Sequence, residues 1–481
     1  MKKVLLTVSA LGLGLALAAT TASAMTFTAG GKANITGIYL NHGSSAPGST
    51  THSQATILTD SNGNPVGVDL NGDGVDDAGP LATAILNGSI PTIPTGAVVN
   101  GGNGGFRAGV ANTDEDDNVD GWHNSFYLYP KLDINDVTSV QGELRFIDRQ
   151  VYGFSDRDTM KVFRLWANYK SPIGTISFGR MPAGTWGGNP FLDSTKSADR
   201  IKWSTDMGAT TIYAVYQKNL EQDAYTGATD KGDAASYLAG VKFGSDMGTT
   251  DIAVWYTRFD EDAGDYNNTE LWYSGAYNFG GIGLVGEAHY AMGDDSAGND
   301  ISSFAAFVTA NTKIDTMTAG ALLIYGQGDD EADGDNNGYV TRNGLGNDFN
   351  PFLIATGDYF GLLNGDKNAY LSALSPVALT HTGNGDNPGM IALAAYLVAP
   401  INDQLTVNAA AGHVWADKHD FGMDLDSKIG WEVDLGMSYK LADNLTYSAS
   451  LGYLKPGQML EDLLGDTNNI FALVHSLTMT W

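Results

Sequence analysis

The 481-residue chain contains no cysteine, which removes disulfide staples and thiolate metal sites from consideration. It is also poor in positive charge: 26 Lys and Arg stand against 55 Asp and Glu, a formal net charge of −29. Affinity for nucleic acid rests on Lys and Arg neutralising phosphates, so no nucleic-acid partner is expected, and such a chain attracts cations instead. His42, His123, His289, His413 and His475 are scattered over different strands and loops with no catalytic motif around them. A Ser–His or carboxylate–His site at the rim of a barrel is therefore not expected, and the chain does not read as an enzyme. Beyond residue 24 no apolar run is long enough for a transmembrane helix.

Lys2 and Lys3 precede an apolar run from Val4 to Ala18, followed by Ala22-Ser23-Ala24. This is the pattern of a secretory signal peptide over residues 1–24, cleaved before Met25. An exported chain without a spanning helix can cross a membrane only as a closed β-barrel, the other architecture that satisfies every backbone group in lipid. The composition agrees, because 61 Gly supply turns while 22 Tyr, 9 Trp and 18 Phe supply interfacial girdles. A disordered chain has few aromatics.

Alternation is clearest near the end of the chain. Ile429, Trp431, Val433, Leu435, Met437 and Tyr439 share one parity, with Glu432, Asp434 and Ser438 on the other; after a turn at Asp443-Asn444, Leu445, Tyr447, Ala449, Leu451 and Tyr453 resume it. The last strand places Phe471, Leu473, Leu477, Met479 and Trp481 on one face, and ends on the aromatic, as the closing strands of bacterial outer-membrane barrels do. His475 shares that outward parity, where an interfacial role fits better than catalysis. Candidate strands lie at 25–41, 122–134, 137–151, 159–170, 173–181, 197–206, 209–219, 234–245, 249–260, 268–279, 281–292, 301–314, 316–326, 389–399, 403–416, 428–441, 444–455 and 470–481. The expected fold is all-β: a closed antiparallel transmembrane barrel of eighteen strands, with sixteen as the alternative. Short periplasmic turns should alternate with longer extracellular loops.

Residues 25–481 read as one barrel domain bearing two long loops, about 43–120 and about 327–388. The first holds Asp69-Leu-Asn-Gly-Asp-Gly-Val-Asp-Asp77, which offers Asp69, Asn71, Asp73 and Asp77 as oxygen ligands and resembles the first half of an EF-hand or dockerin calcium loop. Position twelve is Pro80, so the bidentate Glu is missing. Asp333, Asp335 and Asn337 repeat the pattern with the same deficit at Gly344. No cofactor is expected; weakly bound calcium in these loops is the one metal reading, with Asx-rich turns as its alternative.

Strict alternation sends Glu143, Arg145 and Arg149, then Arg164, then Arg200 and Lys202, to one patch of the lumen. The segment Arg164-Leu-Trp-Ala-Asn-Tyr-Lys-Ser-Pro-Ile-Gly-Thr-Ile-Ser-Phe-Gly-Arg180, followed by the Gly-rich Met181 to Thr195 and Ala198-Asp-Arg-Ile-Lys-Trp203, resembles strands four to six of the Gram-negative general diffusion porins. That resemblance implies a constriction loop at about 182–196 folded into the lumen, with Asp193 as its acid facing the basic wall. It also favours an inward Arg180, although alternation groups Arg180 with the lipid-facing Ile176 and Phe178. A homotrimer in the outer membrane is implied as well. The expected function is a water-filled channel for passive diffusion of small hydrophilic solutes and ions. A substrate-specific channel, or a barrel-anchored calcium-binding surface or adhesion protein, is the alternative.

Overall fold

The computed structural model describes residues 25–41, 56–59, 65–69, 118–151, 160–183, 197–220, 233–260, 266–294, 298–329, 337–338, 352–355, 389–419, 426–464 and 469–481. Its strands are β1 (Thr26–Asn41), β2 (Thr56–Thr59), β3 (Pro65–Asp69), β4 (Asn118–Asp133), β5 (Thr138–Val151), β6 (Lys161–Ser171) and β7 (Gly174–Pro182). They continue as β8 (Ser197–Met207), β9 (Thr210–Leu220), β10 (Asp233–Ser245), β11 (Gly248–Asp260), β12 (Tyr266–Phe279), β13 (Ile282–Asp294) and β14 (Asp300–Ile314). The last are β15 (Met317–Gly326), β16 (Met390–Pro400), β17 (Leu405–Trp415), β18 (Lys428–Ala442), β19 (Leu445–Pro456) and β20 (Ile470–Thr480), with a short helix α1 (Gln458–Leu464) before β20. The chain divides into two compact units. One comprises 1–42, 118–463 and 469–481; the other comprises 43–117 and 464–468, and holds the two-stranded β2–β3 pair.

All strands but β2 and β3 form a single eighteen-stranded antiparallel sheet in which each pairs with its sequence neighbours, and β1 closes the ring by pairing with both β4 and β20. Every candidate strand is present, and the ends move by at most about four residues, within the usual uncertainty of strand boundaries. Eight tight turns join alternate pairs at one end. Gly280 and Gly281 take φ of 61° and 98°, the two positive values that a two-residue type I′ hairpin requires. Asn135 and Asn402 close their turns by accepting two following backbone N–H groups each. The longer connections all lie at the other end, which is the extracellular one in barrels of this kind.

Large apolar groups cover the outside: Phe178, Ile201, Tyr237, Ile252, Leu393, Leu435 and Leu451 are among the exposed ones. A closed sheet with every ladder group paired and an apolar outer belt is an outer-membrane barrel. Two residues leave the outward parity of their neighbours, each at a bulge. Between Glu143↔Arg164 and Leu144↔Val162 the extra residue is Phe163, which leaves the lipid parity and turns under the Arg145 guanidinium. Between Val414↔Gly430 and Trp415↔Lys428 it is Ile429, which is 1% exposed instead of facing lipid. One additional residue reverses parity locally.

His475 lies on the outer face, edge-on to Trp122 at 4.8 Å, in the gap left by Gly37, where a Cβ would meet its ring at 2.4 Å. Trp481 does the same at the turn end. Its indole covers Gly31 so closely that a Cβ there would approach ring atoms to 2.2 Å, its backbone exchanges hydrogen bonds with Gly31, and Phe126 is 5.7 Å away. The terminal residue thus helps to seal the β1–β20 seam. Gly31→Val should displace the indole and Trp481→Ala should remove it, each lowering barrel stability by about 1 kcal/mol through the lost aromatic contact. The temperature at which the fast-migrating folded band disappears on a gel measures this, and unchanged temperatures in both variants would remove the contact from the seam.

Candidate functional site

The inner wall of β5 and β6 is organised by one carboxylate. Glu143 is 5% exposed and accepts from Arg145 Nε on Oε1 and from Arg164 Nη1 on Oε2, both at 2.8 Å. The ladder pairs Glu143 directly with Arg164, and Arg145 is the next inward position on β5. A charge this enclosed is tolerable because two charge-assisted partners hold it. Arg145 also lies 3.3 Å from the Phe163 ring centroid and 4.9 Å from that of Tyr127, while Arg164 donates Nε to Ser197 Oγ at 3.0 Å. The structure therefore brings Glu143, Arg145 and Arg164 together as a fixed cluster.

Arg200 is fixed differently. Its Nε donates to Gln217 Oε1, and its Nη2 and Nη1 reach the carbonyls of Ala183 at 2.9 Å and Pro182 at 3.3 Å. It holds the root of the loop that follows β7, with Trp255 at 5.5 Å. From Gln217 a chain of hydrogen bonds runs through Asn219, Ser236 and Thr257 to the Trp255 indole, across β9, β10 and β11. Lower on the wall, Lys202 on β8 and Lys242 on β10 face inward, both exposed, with Asp251 of β11 directly across the ladder from Lys242 and accepting the Tyr213 hydroxyl at 2.7 Å.

Arg180 does not join them. It pairs across the ladder with Leu165, which is 46% exposed on the outer face, and bonds Asp199 Oδ2 at 3.2 Å. No bulge re-aims it. Arg180 lies two residues before the end of β7, close to the extracellular edge, where an outward cation costs only about 0–1 kcal/mol rather than the roughly 2–4 of the midplane. The Arg149 side chain and Asp193 lie outside the described residues, as do 184–196 of the expected constriction loop. The same holds for Asn71, Asp73, Asp77, Asp333, Asp335 and the Asp69 side chain. Asn337 is described, and its backbone N–H donates to Asp329 Oδ2 at 2.8 Å. Among the described residues no cluster of three His or acidic ligands is found.

The opposite wall holds a feature that alternation does not reveal. Residues 352–355, from the connection between β15 and β16, are seated inside the barrel. Three successive backbone N–H groups donate to inward carboxylates of β18: Leu353 to Asp434 Oδ2 at 3.1 Å, Ile354 to Glu432 Oε1 at 2.6 Å and Ala355 to Glu432 Oε2 at 2.8 Å. Glycines make the room. A Cβ on Gly412 would meet the Phe352 ring at 2.5 Å, and one on Gly452 would meet Leu353 and Ile354 at 3.1 and 3.2 Å. Phe352 and Ile354 are 1% and 0% exposed. The signal in the sequence is the apolar Phe352-Leu353-Ile354 inside a loop rich in Asp and Asn, together with Glu432 and Asp434 on one inward face.

No family model and no curated protein matches the chain. Solved structures do. The chain is similar to Pseudomonas aeruginosa OccK9 (OpdG), with 11% identity over 95% of this chain and 98% of that one and a TM-score of 0.50. It is also similar to OccK2 (OpdF) of the same organism, with 11% identity, coverage of 94% and 98% and a TM-score of 0.49. The outer membrane protein opdK, again from Pseudomonas aeruginosa, shows 10% identity, coverage of 94% and 99% and a TM-score of 0.47. At these identities the likeness is one of fold.

Glu432→Ala would strip the acceptors from Ile354 and Ala355, leaving two buried N–H groups unsatisfied at about 1–3 kcal/mol each, whereas Asp434→Ala strips one. Limited proteolysis of the folded barrel should cut near 352–355 faster in Glu432→Ala than in Asp434→Ala, and slowest in the unaltered protein. Equal cleavage in all three would mean that the carboxylates do not hold the segment.

Proposed function

We propose that the protein is an outer-membrane channel that passes small hydrophilic solutes and ions by passive diffusion, and that it assembles as a homotrimer as the porin resemblance implies. The observation that carries the channel reading is the exposure of Lys202 and Lys242, which point into a closed barrel on β8 and β10. Lysine heads facing inward remain exposed only if the interior there holds water, since a charge is not kept in a dry core without partners. In the extracellular half the wall is closed instead. Trp255, Glu270, Trp272 and His289 are buried inward residues there, with Glu270 accepting from Asn268 and the Trp272 indole.

Charge is segregated around this interior. The cations Arg145, Arg164, Arg200, Lys202 and Lys242 project from β5, β6, β8 and β10, with Glu143 and Asp251 among them as inward acids, while Glu270, Glu287, Glu432 and Asp434 project from β12, β13 and β18. Such an arrangement orients polar solutes and disfavours apolar ones. A more selective channel is favoured by one observation, the anchoring of 352–355 inside the barrel, which withdraws part of the cross-section from diffusion.

Planar-bilayer recording tests the reading. Folded protein should give open-channel steps, and their absence from a correctly folded barrel would favour a plugged anchor. Lys202→Ala with Lys242→Ala should shift the zero-current potential in a salt gradient toward cations, lowering anion over cation permeability by on the order of a few-fold. An unchanged potential would take these lysines out of the ion path. Chemical crosslinking in native membranes should yield a trimer band.

A further inference from the structure

Three planar, uncharged side chains are laid over glycines on the inner wall between β13 and β18. The Tyr396 ring of β16 lies over Gly320 of β15, where a Cβ would meet its Cζ at 2.5 Å. The Asn311 amide of β14 covers Gly283 of β13, 2.7 Å from a Cβ placed there, and the Asn408 amide of β17 covers Gly436 of β18. Tyr396, Gly320, Asn311 and Gly283 follow one another in a single ladder row. Asn408 pairs with Val398 and is the inward position diagonal to Tyr396. Each glycine lets its neighbour rest on the backbone, so these side chains lie along the wall instead of standing out into the lumen.

None of the three makes a hydrogen bond among the described residues. Tyr396 and Asn311 are half-buried and Asn408 is exposed, so their polar groups are left to water. Asn311 is fourth from the end of β14, Gly320 fourth from the start of β15 and Asn408 fourth from the start of β17, all counted from the tight turns. The patch therefore lies at one level, in the half of the barrel nearer those turns. Immediately on its extracellular side is the anchored segment: Phe352 rests on Gly412, the inward position of β17 that follows Ala410, and Ala410 pairs with Tyr396. Two inward charges of opposite sign border the patch. Lys313 is one inward position nearer the turn on β14, and Asp434 pairs with Ala410 and already accepts from Leu353.

We propose that Tyr396, Asn311 and Asn408 form a binding site for neutral saccharides, which the channel passes; the site rests on the channel reading above. A pyranose carries a flat array of C–H groups on one face and hydroxyls around its edge. The C–H face fits an aromatic plane laid along a wall. Each hydroxyl both donates and accepts, as does each amide, so two asparagines with unused donors and acceptors suit the edge of the ring. An ion or a zwitterion gains little from the same three groups, because none of them is charged.

Planar-bilayer recording of the full-length folded protein tests this, with maltose, sorbitol and glycine added in turn to both chambers. Maltose should block the open current reversibly. Sorbitol, which has hydroxyls but no ring, and glycine, a zwitterion, should each need on the order of tenfold higher concentration for the same block. Tyr396→Ala should raise the half-blocking concentration of maltose on the order of fivefold, and Asn311→Ala with Asn408→Ala by a similar factor, whereas Tyr396→Phe keeps the ring and should stay within about twofold. Absence of open-channel steps would remove the channel reading and the site with it; open steps that maltose leaves unblocked would overturn the site alone. Equal block by glycine or by sorbitol in the unaltered protein would also overturn it, without any variant having to fold. So would unchanged maltose block in a folded Tyr396→Ala barrel.

Discussion

The backbone ladder is the constraint from which the rest of this molecule follows. In hydrocarbon an unpaired N–H or C=O costs several kcal/mol, so the sheet has to close on itself, and β1 meets β20 for that reason. Closure fixes which face of every strand is wet. Since side chains alternate, the position of Arg164 or Glu432 in the lumen is decided by register before any side-chain contact is made. At the seam the Trp481 indole covers Gly31 beside the last backbone hydrogen bonds between the two residues.

Within the lumen, charges divide into those held by partners and those left to water. Glu143 with its two arginines, and Arg200 with Gln217 and two carbonyls, are built into the wall. Their value to a passing ion is reduced by what already neutralises or orients them. Lys202 and Lys242 remain exposed, with Asp251 across the ladder from Lys242. The net charge of −29 therefore says little about the potential at any point of the pore, because screening restricts each exposed charge to about 8–10 Å.

The strands were legible because period two is a strong signal over ten or more residues, and Asn135, Gly280, Asp315 and Asn402 mark their turns. Parity failed where one residue was inserted. Phe163 carries no sign that it is a bulge, whereas Ile429 is followed by Gly430 at φ 151°, a conformation that glycine permits. Arg180 was hard to place because resemblance and alternation disagreed, and alternation prevailed near the strand end, where lipid exposure is cheap. The cluster of Glu143, Arg145 and Arg164 was visible as three inward residues on adjacent strands, but its internal hydrogen bonding was not. Nothing local in residues 352–355 says that they enter the barrel; that depends on Glu432, Gly412 and Gly452, which are 57 or more positions away in sequence.

A loop can be fixed inside such a barrel only by groups that the ladder has not already used. The wall's own N–H and C=O groups are committed to neighbouring strands, so the backbone of 353–355 finds its acceptors in side chains. Carboxylates suit this task because each offers two oxygens, and successive N–H groups of a bent segment form a concavity that favours an anion. Small residues must lie beside them, since the segment has to approach the wall closely, and Gly412 and Gly452 occupy those positions on the flanking strands. The consequence for the pore is electrostatic as well as steric. Two acids on the β18 wall face loop donors, and the charged groups still exposed in the lumen include the lysines of β8 and β10. Anchoring the segment and occupying two acids of the inner wall are thus two results of the same three hydrogen bonds.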